Sequence, residues 1–450
     1  MIRYFRLLNN RQKRNLDARL SIKNRVIINL IINYLESKDY ERRLFMISVK
    51  DLISQKAIRS RFQPVISLRS RSIIGFEALS YAVHADTHID PFTLFESAAK
   101  ESLLLSIDRE CRSTALSTYQ TGEHKNSLLL FLNFESSLID ENIVGSGVLY
   151  KQCQDAGISP ESVVLEIVES KVHNESALKH FVDIHREKGF VIAIDDVGEG
   201  YSNMNRIALL RPDILKADRS LASGIDSNYM KQEIVSSLAK LSSGIGALFL
   251  LEGVETELEA LTAFGLGVDL MQGYYFSKPH DIHNTDHKKV LDLVQKTSLK
   301  AREKALLNTR DHNRFVNQCF TYLESVTCSL SGCGVDLFDD YLTSLRENFQ
   351  GCECYYILDD YGIQVTDTIL TNSFPSKVRP ATVFSPARKG SDHSLKDYFF
   401  SASRNNRRYV TEHYISLASG TDCITLTVPF MLKTHDAIHY LCADFAVCKS

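Results

Sequence analysis

The sequence predicts an α/β barrel followed by a smaller α+β domain. Three observations carry that reading. Between residues 58 and 284, short β-branched runs alternate with amphipathic stretches of helical period. Nearly every one of those runs delivers a carboxylate, an amide or an amine at or near its C-terminal end. From about residue 336 the alternation stops, and strand-like segments follow one another across turn residues.

Residues 1–25 hold eight Lys or Arg and one acidic residue, Asp17. Beyond them Ile28, Ile31, Ile32 and Leu35 fall on one helical face. A basic arm before such a helix packs on a neighbour or a dimer mate; peripheral contact with an anionic membrane is the alternative. Strands are expected at 61–68 and 73–81, then one helical stretch over 91–118. Further strands are expected at 128–134, 163–168, 190–195, 214–217, 247–251 and 268–275, and helices near 148–155, 175–188, 202–210, 229–242 and 258–264. Repeated strand–helix units make a parallel sheet, open or closed. Residues 285–327 contain no Pro or Gly and read as one long helix, a connector. The last segment reads as strand 354–358, a turn at 359–362, strand 363–365, a helix at 395–403 and strands 409–417, 423–432 and 438–447. The expected organisation is therefore a basic N-terminal segment at 1–57, a barrel at 58–284, a connector at 285–335 and a second domain at 336–450.

At 450 residues the chain is long enough for two or three domains, and 44% hydrophobic with 24% charged residues is a globular composition. A net charge of -3 argues against nucleic acid as a partner. No apolar run reaches the length of a membrane span and no signal peptide is visible, so a cytoplasmic location is expected. The ten Cys form no secreted disulfide framework. Cys352 and Cys354, two apart, would share a strand face; buried unreactive thiols are the main reading, a redox or metal sensor the other.

The strand ends carry the chemistry. They supply Glu77, Asn133, Glu166, the pair Asp195 and Asp196, Lys216 with Asp218, Glu252 with Glu255, and Gln272, with no His and no Cys. Oxygen donors of this kind select hard cations such as Mg2+ or Mn2+ over zinc. A closed barrel gathers its strand C-termini on one face, whereas an open sheet would hold its outer members apart, so the set favours closure. Several carboxylates around two hard cations suit hydrolysis of a phosphodiester. Lys216 can hold the attacking water or neutralise developing charge, and a buried ion pair to a neighbouring carboxylate is compatible with either role. Taken alone, Asp195 and Asp196 read equally well as caps of the following helix.

These residues resemble the EAL domain of bacterial cyclic-di-GMP phosphodiesterases. Glu77-Ala78-Leu79 stands as the signature, after Phe62-Gln63-Pro64-Val65. Leu132-Asn133, Leu165-Glu166-Ile167-Val168-Glu169-Ser170, Asp195-Asp196-Val197-Gly198 and Leu215-Lys216-Ala217-Asp218 follow in order. Glu252-Gly253-Val254-Glu255 and Gln272-Gly273-Tyr274 complete the set, which covers about 58–282. The resemblance implies a modified TIM (β/α)8 barrel whose first strand runs antiparallel to the rest. It implies two Mg2+ or Mn2+ per site, held by Glu77, Asn133, Glu166, Asp195, Asp196 and Glu252. Lys216, Glu252 and Glu77 would be catalytic, and Gln63, Leu79, Gln272 and Asp218 would contact the substrate. Glu169 would order the loop after Asp196, at a homodimer contact. The expected reaction converts cyclic-di-GMP to linear pGpG.

Two departures bear on activity. Tyr81 stands where the family usually has an Arg that pairs with a substrate phosphate, and Tyr donates only one neutral hydrogen bond. Glu199 replaces a loop Thr and adds negative charge; Asn203 for a small residue is milder. The alternative reading is therefore a degenerate EAL domain that acts as a cyclic-di-GMP receptor or a protein-interaction scaffold. The C-terminal segment, with Tyr356 to Gln364 and Asp397-Tyr398-Phe399, looks like a PAS/Cache-like sensor, which implies an unidentified small ligand there.

Overall fold

The computed structural model describes residues 48–446 apart from 85–86, 123–126, 141–146, 169–171, 198–203, 285–286, 348, 375–384 and 434. The expected basic helix, and the loop positions Glu169, Glu199 and Asn203, lie outside the described residues. The chain divides into two compact units, 1–305 and 306–450.

The first unit begins with α1 (Val49–Ser54) and a hairpin of β1 (Ile58–Ser67) and β2 (Ser72–His84), with β3 (Thr87–Ile89) folded back on the end of β2. Helices α2 (Pro91–Lys100) and α3 (Leu104–Tyr119) lead to β4 (Leu129–Phe134). Then follow α4 (Val148–Ala156), β5 (Val163–Val168), α5 (Glu175–Glu187), β6 (Val191–Val197), α6 (Met204–Leu210) and β7 (Ile214–Ala217). Next come α7 (Arg219–Ala222), α8 (Tyr229–Ile245), β8 (Leu248–Leu251), α9 (Glu257–Gly265) and β9 (Leu270–Met271). The neighbour order β1-β9-β8-β7-β6-β5-β4-β2, with β2 paired back to β1, closes eight strands into a barrel. β1 is antiparallel to both of its neighbours and the remaining pairs are parallel. The fold is thus the expected modified TIM barrel with a reversed first strand.

Closure follows from burial on both faces. Val65, Phe131, Val164, Ala193, Ile214, Leu250 and Leu270 fill the interior. Alternate residues such as Leu165, Ile167, Ile192 and Ile194 pack outward on the helices. Strands buried on two sides read as continuous apolar runs, which is why they were legible.

The helical stretch expected over 91–118 is two helices. Ser102 sits at φ +57, and Leu103 N–H closes the first helix on Ala98. The carboxylate of Glu101 accepts from Val49 N at 2.9 Å and so caps α1. The strand expected over 268–275 shrinks to β9, because from Gln272 the chain bonds the loop after β8, with Val254 N donating to Gln272 O at 3.0 Å.

Helix α10 (His287–Leu330) begins in the first unit and ends in the second. The second unit adds α11 (Phe338–Ser344), β10 (Cys352–Leu358), β11 (Ile369–Leu370), α12 (Asp397–Ser403), β12 (Tyr409–Val410), β13 (Tyr414–Ile415), β14 (Asp422–Leu432) and β15 (His435–Ala446). Its sheet is antiparallel, in the order β11-β10-β15-β14-β12 with β13 on β14. Tyr355 and Ile357 pack with Leu323 and Phe338, while Tyr356 and Leu358 pack with Tyr398 and Phe399 on the other face. The turn at 359–362 forms, with Asp359 Oδ1 accepting from Tyr361 and Ile363, but the hairpin is reduced to the bridge between Leu358 and Gln364. Cys352 and Cys354 do not share a face. A register shift between them sends Cys352 to the first cluster and Cys354 to the second. Burial raises the pKa of both thiols, so neither is a ready nucleophile.

Candidate active site

The site grows directly out of strand alternation. A step of two residues along a strand returns to the same face. Two residues beyond each apolar group of the barrel interior stands a polar one: Phe131 leads to Asn133, Val164 to Glu166, Ala193 to Asp195, Ile214 to Lys216, Leu250 to Glu252 and Leu270 to Gln272. Gly75 leads likewise to Glu77. On β1, which runs the other way, Val65 leads back to Gln63. The barrel therefore carries a polar layer directly above an apolar floor, at the mouth where barrel strands end.

Lys216 organises the layer. It is fully buried, and its Nζ lies 2.5 Å from Glu166 Oε1, 2.5 Å from Glu252 Oε1 and 3.4 Å from Asp195 Oδ1. Amides hold the opposite side. Glu77 accepts from Asn133 Nδ2 at 2.9 Å and from Gln272 Nε2 at 2.7 Å. Gln272 Nε2 also reaches Gln63 Oε1 at 3.1 Å, and Gln63 Nε2 donates to Ser277 O at 3.0 Å. Eight of the sequence-predicted residues thus meet at the mouth in two bonded groups, Gln63, Glu77, Asn133 and Gln272 in one and Glu166, Asp195, Lys216 and Glu252 in the other, and the charge of Lys216 acting on Glu77 links them into one network.

Charge crowding divides the carboxylates. Burial, and then the charge of Glu77, drive the Glu166 carboxyl well above its usual range against the pull of Lys216. Burial likewise pushes Glu252 up to about 8, with Lys216 opposing and Asp195 adding to the rise. Burial acts the same way on Glu77, but Lys216 and the two amides outweigh it and hold its carboxyl low. Lys216 pays for its burial with the field of Asp195, Glu166 and Glu252, which keeps it protonated. Neither buried oxygen of Glu166 completes a hydrogen bond of good geometry. An oxygen-only donor set with an unsatisfied buried carboxylate fits a hard cation. Among the described residues no three acidic, His or Cys side chains are already grouped as an ion cage; the Lys216 ammonium stands between the carboxylates instead.

Local backbone devices aim the layer. Adjacent strand residues face opposite ways, so Asp195 and Asp196 cannot both serve the mouth from a regular strand. The strand is bulged there: the register moves from Ile194–Leu215 to Val197–Ala217, which sets two residues against Lys216. Asp196 takes φ +59, and its N–H donates to Asp195 Oδ1 at 3.0 Å. Beyond β8 and β9 the chain needs glycine. A Cβ on Gly273 would stand 2.0 Å from Val254 O, and one on Gly253, itself at φ +68, 2.2 Å from Arg219 Cβ. Gly273 lets the loop after β9 pack on the loop after β8, and Gly253 lets the loop after β8 pack on the start of α7. Sequence reasoning gave them no role, although each directly follows a ladder residue in the motifs.

The other predicted residues stand apart from the network. Asp218 caps α7, accepting from Ser220 N at 2.8 Å. Leu79 is half-buried and lines a cavity of about 620 Å³ beside Glu77 and Asn133. Glu255 is exposed, and its N–H donates to Glu259 at 2.8 Å.

A family model described as the EAL domain matches residues 47–279. The chain is 26% identical over 382 residues to an uncharacterized EAL-domain containing protein, YkuI, of Bacillus subtilis (strain 168), covering 82% of this chain and 90% of that one. It is 34% identical over 149 residues to PdeA of Escherichia coli (strain K12), named as a probable cyclic di-GMP phosphodiesterase; that match covers 32% of this chain and 20% of PdeA. The crystal structure of YkuI, described as a complex with substrate c-di-GMP and calcium, superposes with a TM-score of 0.70 at 23% identity, covering 90% of this chain and 100% of that one.

Proposed function

Because the chain belongs to the EAL domain family, we propose that it is a metal-dependent phosphodiesterase that hydrolyses cyclic-di-GMP to linear pGpG. The observation that carries this reading is the polar layer itself, with Lys216 between Glu166, Asp195 and Glu252 at the barrel mouth. The name of PdeA and the ligands of the YkuI crystal support it.

Glu77, Asn133, Glu166, Asp195, Asp196 and Glu252 would hold two Mg2+ or Mn2+ ions. Bound there, the ions would lower the pKa of a water and share the charge on the attacking and leaving oxygens. Lys216 stays protonated among its carboxylates, so its role is to orient the water and stabilise charge, not to accept a proton. Gln272 and Asn133 fix Glu77 in one orientation, and Gln63 ties that layer to the loop at Ser277. Leu79 and Asp218 would contact the substrate at the rim, and Glu169 would order the loop after Asp196.

Purified protein with Mn2+ and cyclic-di-GMP, followed by nucleotide chromatography, is expected to give pGpG. Binding without product would sink the enzyme reading and leave the receptor or scaffold, which Tyr81 and Glu199 favour. We place the small sensor ligand in the second unit, in a cavity of about 650 Å³ lined by Tyr356, His393, Tyr398, Tyr414 and Asp444. A homodimer and a cytoplasmic location complete the proposal; no described helix is long and apolar enough to cross a membrane.

A further inference from the structure

We propose that Arg61 is the side chain that grips a phosphate of the substrate, and that Tyr81 holds it in readiness. The inference rests on the phosphodiester reading above and adds a binding residue to it.

Its basis is register. On the β1–β2 hairpin Gln63 faces Glu77, Arg61 faces Leu79 and Arg59 faces Tyr81. Residues directly opposite one another on an antiparallel pair share a face. Arg61 therefore lies on the inner face with Gln63, and Tyr81 on the inner face with Glu77. The outward neighbours confirm this: Phe62, Ala78, Ile58 and Ala82 are buried against the helices. Because β1 runs against the other strands, its N-terminal end lies with their C-terminal ends. Arg61 thus stands over the polar layer, two residues and roughly 7 Å of strand from Gln63.

Its surroundings suit an anion. The Cζ of Arg61 lies 4.7 Å from the centre of the Tyr81 ring, and that ring lies 5.2 Å from the ring of His88 on β3. A guanidinium laid on an aromatic face keeps its in-plane N–H groups available for a bidentate phosphate. Arg61 is exposed, and among the described residues its charge has no ion-pair partner. Lys216, by contrast, is committed to three carboxylates. Arg59, next on the same face, turns its Nη1 to the carbonyls of Lys56 and Ile58 at 2.5 and 2.8 Å. An anionic ligand entering above buried carboxylates needs a cation at the rim, and Arg61 supplies it.

The test uses the full chain with cyclic-di-GMP, measuring Kd with Ca2+ and kcat and KM with Mn2+. Arg61→Ala should weaken binding about 10-fold or more, with the loss in Kd and KM and a smaller change in kcat. Arg61→Lys should fall between, because an ammonium cannot pair bidentately. The double variant Arg61→Ala with Tyr81→Arg should regain most of the affinity, since position 81 faces the same space from the neighbouring strand. Wild-type protein that binds the nucleotide, beside an Arg61→Ala variant of equal Kd and KM, would overturn the role of Arg61 while leaving the function standing. Wild-type protein that neither binds nor cleaves cyclic-di-GMP would overturn both.

Discussion

Both units of the protein bury carboxylates inside β-structure, and they neutralise them in different ways. In the barrel, Glu166 and its neighbours surround a single ammonium, and Glu166 is left with oxygens that lack good hydrogen bonds. In the second unit, hydroxyls do the work. Asp444 accepts from Thr425 Oγ1 at 2.7 Å and Ser416 Oγ at 3.3 Å. Glu353 accepts from Ser419 Oγ and Thr421 Oγ1, each at 2.8 Å. A hydroxyl-satisfied carboxylate is complete and specifies a fold; a carboxylate crowded around a shared cation is incomplete and invites another cation. The difference separates a polar core closed by its own hydroxyls from one that leaves carboxylate oxygens open.

The comparison breaks most sharply at Lys216. Lys216→Ala leaves the buried Glu166 and the half-buried Asp195 and Glu252 without their counter-ion, so pGpG formation should fall by about 10³-fold. Stability should drop by about 3–5 kcal/mol, and added Mn2+ should restore part of the melting temperature. An unchanged Tm would show that the ion pairs are not what balances the layer. Glu166→Gln removes one of the crowded charges at nearly constant volume. Activity should fall about 10²-fold while stability holds or rises, the trade expected of a residue kept for function; thermal melts and turnover on the same preparation read both.

Asp444 tests the other side of the comparison. Burial raises its carboxyl to about 6, above its usual 3.8, with the Thr425 bond opposing and the charge of Glu353 adding to the rise. A raised acid pKa means that the folded state binds the proton more tightly. The ionised group therefore costs stability above pH 6, and that cost is relieved as pH falls toward 4. Its full size is about 2–3 kcal/mol. Asp444→Asn should flatten this part of the pH–stability curve; denaturant midpoints from pH 4 to 7 check it. The smallest effect is expected at Thr425→Val, which removes one donor to Asp444 and should cost about 1–2 kcal/mol. A loss as large as that of Lys216→Ala would erase the distinction between the two regions.

Much of this was legible from residue order. Apolar runs buried on two faces announced the barrel strands, and the polar residue closing each run announced the site, because alternation fixes which residues share a face. Other features needed the folded chain. No Gly or Pro marks the break in 91–118 at Ser102, where the backbone takes φ +57 and the neighbouring Glu101 reaches Val49. Cys352 and Cys354 are two apart, yet a register shift parts them, and registers are set by the partner strand. Position along the chain, set by strand period, pointed to the carboxylates, amides and lysine that line the barrel mouth, together with Asp218 and Glu255, which the structure sets apart. Only the tertiary structure decided their pairing: that Lys216 serves three strands at once, that a bulge takes Asp196 out of alternation, and that Arg61 rests on Tyr81. Each of these is a contact between strands. Its energy depends on distance and burial, which chain order alone does not specify.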